Sequence, residues 1–125
     1  MINLKGKISD ELEKMVAEQN VGADVSDSFP DDWTKETQIQ YTEEQNRAYE
    51  ISGNKCVSSY VRFRIDIWNT KNTSSLAGWV DEKMNGVLGL KRTDCTDNNE
   101  PKRKHKIMRY EGIVYEATGR VCSPN

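Results

Sequence analysis

From Cys56 to Trp68 the chain reads Cys-Val-Ser-Ser-Tyr-Val-Arg-Phe-Arg-Ile-Asp-Ile-Trp, and from Val61 onward it alternates strictly. Val61, Phe63, Ile65 and Ile67 point one way, and Arg62, Arg64 and Asp66 the other. A period of two, with β-branched and aromatic residues on the apolar side, predicts a half-buried strand. The rest of the chain is placed by what covers the apolar face and what meets the charged one.

Immediately upstream, Thr37-Gln38-Ile39-Gln40-Tyr41 alternates again and reads as a short strand. Glu43 to Glu50 reads as a polar bridge, and Ser52-Gly53-Asn54-Lys55 as a turn into the long strand. The simplest topology makes Ile39–Thr42 and Val57–Trp68 antiparallel neighbours. Residues 20–35 lose periodicity and read as loop, with a turn at Pro30-Asp31-Asp32. Val21, Ala23 and Val25 suit a short strand before it. Phe29 and Trp33 flank the turn and are expected to pin it to the core or to a neighbouring subunit. At the N-terminus, Ile2, Leu4, Ile8, Leu12, Met15 and Val16 predict a helix over residues 2–18, with Asp10 and Glu11 in its first turn.

Downstream, Asn69 to Ser75 reads as a loop closing in a helix cap at Thr73 or Ser74. Leu76, Val80, Met84 and Val87 then form one helical stripe, ended by Gly86 and Gly89. A third strand is expected over 88–94, a turn over 96–101, and a final strand over 105–121. Gly112 in that strand implies a bulge or close packing. The expected fold is α+β: an antiparallel sheet of about four strands covered by two helices, in the order α-β-β-α-β-β. Residues 1–125 form one domain, with 122–125 a loose tail.

Hydrophobic residues make up 35% of the 125 and charged residues 30%, so the core is lean. Such a composition suits a thin two-layer domain, or one that completes its burial by oligomerising. No apolar run approaches the ~20 residues of a membrane span. The first residues lack the pattern of a signal peptide, so a cytosolic chain is expected. Three cysteines (Cys56, Cys95 and Cys122) form no disulfide framework and no Cys-x-x-Cys pair, and are expected to act as small strand hydrophobes. Charge is unevenly spread: residues 1–50 carry 12 Asp/Glu against 5 Lys/Arg, and residues 51–125 carry 13 Lys/Arg against 8 Asp/Glu. That split fits either solvated faces or faces that meet head to tail in an oligomer.

No constellation for catalysis, metal or cofactor emerges. His105 sits inside a lysine cluster, has no nucleophile in a recognised pattern, and is expected to face solvent. Gly86 to Gly89 lacks the lysine of a phosphate loop. The basic turn Lys102, Arg103, Lys104 and Lys106, with Arg109, raises the question of nucleic acid, but no aromatic interleaves it. A solvated hairpin tip or a protein contact is the expected reading.

Four strings together resemble the small tail-completion proteins of long-tailed bacteriophages, a group that includes the tail terminators. They are Ile39-Gln-Tyr-Thr-Glu-Glu-Gln-Asn, Tyr60-Val-Arg-Phe-Arg-Ile-Asp-Ile-Trp-Asn, Val80-Asp-Glu-Lys-Met, and His105-Lys-Ile-Met-Arg-Tyr-Glu-Gly-Ile-Val. The resemblance spans most of the chain, but the basic turn at 102–106 matches no family motif. It implies a non-enzymatic virion protein, assembled in the host cytoplasm, that forms a ring, commonly a hexamer, on the end of the tail tube. Its partners would be itself, the tail-tube protein and the head connector, with genomic DNA passing through the lumen. A neck or head-completion protein is the alternative, and a nucleic-acid-binding regulator using residues 102–109 a more distant one. Arg62, Arg64 and Asp66, with Trp33 and the basic turn, are then the candidate contacts with neighbouring subunits or partners.

Overall fold

The alternation at Val61–Ile67 lies inside β3, a strand that runs Lys55–Asn69 in the computed structural model, which describes residues 3–53 and 55–122. The other elements are α1 (Lys5–Glu18), β1 (Ala23–Ser26), β2 (Thr37–Ser52), α2 (Ser74–Asp81), β4 (Lys91–Asp97), β5 (Lys104–Tyr115) and β6 (Val121–Cys122). A π-helical segment, Glu82–Val87, continues α2. The six strands form one sheet in the order β1-β2-β3-β5-β4, with β6 also paired to β5. β1 runs parallel to β2, and every other pairing is antiparallel.

This corrects the expected fold of about four antiparallel strands under two helices. The sheet is six-stranded and mixed, the protein is mostly β, and both helices are short. The largest error is at Glu43–Glu50, read as a bridge but in fact part of β2, which pairs with β3 as far as Ser52↔Lys55. Three register shifts, at Glu43/Gln45, Ala48/Glu50 and Glu50/Ile51, break the period of two. From Arg47 to Ser52 the strand is exposed, so no buried face imprints an apolar pattern on it. The final strand also stops earlier than expected, at Tyr115, and the chain turns back through Gly119 (φ 69°) into β6. Cys122 is paired in that strand, while Ile2, Asn54 and residues 123–125 lie outside the described residues.

The core lies on one side of the sheet. Leu4, Ile8, Leu12 and Met15 of α1 and Leu76, Val80 and Met84 of α2 and its continuation cover Ile39, Val61, Phe63, Ile65, Ile67, Met108 and Tyr110. The first turn of α1 starts at Lys5, so Asp10 and Glu11 sit deeper in the helix than expected. The cap of α2 also differs: neither Thr73 nor Ser74 offers a side-chain bond, and Asn72 Oδ1 accepts from the Ser74 amide at 2.7 Å. Val87 leaves the expected stripe and is 58% exposed. The wider π turn adds a residue to the helical repeat, which rotates Val87 outward while Met84 stays buried. Gly112 packs closely: a Cβ there would meet Leu90 Cδ2 and Val121 Cγ1, each at 2.9 Å.

Candidate functional site

The face of the sheet away from the helices holds the predicted Arg62, Arg64 and Asp66, and the structure pairs them within the chain. Glu44 is the extra residue at the first bulge of β2, and the bulge turns it inward over β3. Its Oε1 accepts from Arg62 Nε at 3.1 Å and from Arg109 Nε at 3.2 Å. Arg109 reaches on to Asp94 Oδ2 at 3.4 Å. Tyr60 donates to Glu111, and burial, then that bond, pushes its phenol above the ordinary tyrosine range. Arg47 lies over the Tyr60 ring, 4.7 Å from its centroid. The charges of this face pair within the chain, Arg62 with Glu44 and Arg64 with Asp66. Glu44 and Glu111 have no sequence signal, because both depend on register.

Asp66 is buried at 4% exposure, which removes it from the wet face the alternation suggested. Arg64 Nε donates to its Oδ1 at 2.8 Å, and His105 Nε2 lies 2.9 Å from its Oδ2. His105 is therefore corrected as well: it is 7% exposed, not solvent-facing. Its ring stacks on Trp68, with centroids 4.4 Å apart. The parity of β3 carries the missed signal here, since Trp68 follows Arg62, Arg64 and Asp66 on the same face. Phe29 and Trp33, from the loop between β1 and β2, meet Trp68 edge-on at 5.7 and 5.5 Å. The loop is thus pinned to its own sheet. Gln38 Nε2, donating to the Asp32 carbonyl at 2.8 Å, holds it from below.

The basic turn does not form one patch. Arg103 stacks over Trp33 at 4.3 Å. Lys106 points to the helix side and binds Asp97 at 2.9 Å, a bond that raises its pKa above the ordinary lysine value. Arg109 is committed to Glu44 and Asp94. Lys102 and Lys104 remain exposed. Among the described residues no cluster of three or more His, Cys, Asp or Glu side chains is placed to hold a metal ion, and no helix is long and apolar enough to cross a membrane.

The other end of the sheet is different in character. β2 and β3 pair beyond the last β3–β5 partners, Ser58 and Tyr115, and form a projecting hairpin arm. Tyr49, in the bulge opposite Ser58 and Ser59 at its base, is 59% exposed, and Ile51 and Val57 are 68% and 38% exposed. Below the arm is a hollow of about 330 Å³ lined by Val57, Tyr115, Ala117, Thr118, Arg120 and Cys122. Three of the five large hydrophobic side chains exposed among the described residues are at this end.

Compared with known proteins, the chain matches no family and no curated protein.

Proposed function

We propose that this chain is a structural virion protein that closes into a ring, of about six copies by resemblance, at the end of the tail tube of a long-tailed phage. There it stops tube polymerisation and joins tail to head, by interface geometry and not by bond chemistry. The observation that supports assembly is the bare hairpin arm, Tyr49, Ile51 and Val57, beside an apolar hollow. A single chain gains nothing from holding three large apolar side chains in water, whereas burying each in a contact is worth on the order of 1–3 kcal/mol. The tail end, as the place of assembly, comes from the four strings at Ile39, Tyr60, Val80 and His105. A ring follows when a heterologous contact closes on itself, and its two faces are then free to meet a tube ring and a head connector.

Electron microscopy of particles from a phage lacking the gene tests this reading. Tails of uncontrolled length that carry no heads are expected. Tails of normal length joined to heads would overturn it, and tails of normal length without heads would move the protein to the neck.

A further inference from the structure

We propose that the hollow at the N-terminus of α2 binds one small phosphate-class oxyanion. The inference is independent of the ring reading and concerns a different part of the fold.

Strand parity builds the site. In β5, Met108 and Tyr110 face the helices, so Lys104 and Lys106 lie on that side as well. The loop from β3 into α2 brings Lys71 and Asn72 against them, and the turn after β4 brings Asn99. With Thr73 and Ser74, where α2 begins, they line a hollow of about 150 Å³. Pockets for drug-sized molecules start at roughly 300 Å³, so this one suits a single small group.

Its walls offer donors. Asn72 Oδ1 already accepts from the Ser74 amide at 2.7 Å, and Asn99 Oδ1 from the His105 amide at 3.0 Å. What each of these side chains has left to offer is its NH2 end, a donor only. Lys106 is held by Asp97 at 2.9 Å and Lys71 stands 3.9 Å from Glu36, whereas Lys104 makes no ion pair among the described residues. Asp97 also lines the hollow, so three lysines face one carboxylate there. The start of a helix adds partial positive charge.

Thr73 is the residue that points to a ligand. It is 5% exposed, and its hydroxyl makes no hydrogen bond among the described residues. A threonine at this position ordinarily caps its helix, but here Asn72 takes that place. The hydroxyl is not sealed in the core, as that of Thr42 is; it opens into the hollow that Thr73 lines. A buried hydroxyl without a partner is costly, and an oxyanion accepting from Thr73 and Lys104 would supply one. Donors arrive from β5, from the loop before α2 and from the turn after β4. That spread suits a tetrahedral group better than a planar carboxylate.

Titration with inorganic phosphate, followed by amide NMR at constant ionic strength, tests the site. The Thr73 and Ser74 amides should shift and saturate, and the melting temperature should rise with phosphate by mass action. Chloride should do neither. Lys104→Glu and Lys71→Glu alter exposed side chains, so each should keep its circular dichroism spectrum while binding phosphate about tenfold or more weakly, the loss of one charged hydrogen bond. Thr73→Val, which replaces the hydroxyl with a methyl group, should also weaken binding, as a diffuse basic surface would not require. A short DNA duplex then identifies the source. If it shifts the same two amides, the phosphate is that of a nucleic-acid backbone; if inorganic phosphate alone does so, the ligand is a free phosphate compound. Phosphate shifts no larger than those with chloride, or undiminished binding by Lys104→Glu and Thr73→Val, would overturn the site.

Discussion

His105 stacks on Trp68 at 4.4 Å, with planes 15° apart, and the same ring places Nε2 2.9 Å from Asp66 Oδ2. One side chain thus joins the charged face of the sheet to the aromatic cluster that holds the loop between β1 and β2. Arg64 completes the set at 2.8 Å from Asp66.

Removing the carboxylate strands both partners. Asp66→Ala should cost about 1–3 kcal/mol, the range for leaving the partner of a buried hydrogen bond unsatisfied. Urea unfolding measures it, and a loss below about 0.5 kcal/mol would show that the pair holds nothing together.

Gly112 makes a steric prediction. A methyl group there meets Leu90 and Val121 at 2.9 Å, so Gly112→Ala should destabilise by about 1–3 kcal/mol through overpacking. Gly112→Ala combined with Val121→Ala should recover part of that loss. A Gly112→Ala protein with an unchanged melting temperature would mean that β6 does not press on β5.

Tyr110 governs the alkaline limit. It is fully buried and donates to Asp81 at 2.8 Å, and burial, then that bond, pushes its phenol far above the ordinary tyrosine value of about 10. The folded protein therefore holds this proton more tightly than the unfolded chain. The contribution is complete below pH ~10 and is lost progressively as pH rises toward the folded value. Stability should fall above pH ~10, and Tyr110→Phe should flatten that fall while costing about 1 kcal/mol at neutral pH. Chemical denaturation between pH 8 and 11 checks both; an equally steep fall in the variant would place the alkaline weakness elsewhere.

The π turn separates two residues that sequence spacing treats alike. Met84→Ala should cost about 2–5 kcal/mol, whereas Val87→Ala should stay within about 0.5 kcal/mol. Equal costs would mean that the helix continues regularly through Val87.

What the sequence made legible followed from burial. Val61 to Ile67 alternates because helices cover one side of β3, and Leu4 to Met15 repeats because α1 provides that cover. The pairing of Ile39–Thr42 with β3 was legible for the same reason. Where β2 leaves the core, from Arg47 to Ser52, no burial constrains the residues, and bulges shift the phase. The strand there looked like a polar bridge. The charged face was located through Arg62, Arg64 and Asp66, but its organisation was not. Glu44 reaches Arg62 and Arg109 only through a bulge, and His105 meets Asp66 only because β3 and β5 lie side by side. Lys106 and Arg109, neighbours in one basic run, separate to opposite faces by the parity of β5.

The aromatic cluster also decides what light can report. Trp33 meets Trp68 edge-on at 5.5 Å and 84°, and Trp79 lines a hollow with Asn69 and Thr37, so all three indoles sit at the open end of the β2–β3 hairpin. Intrinsic fluorescence is therefore a regional thermometer: it registers the loop lifting off Trp68 and is blind to fraying of the hairpin arm.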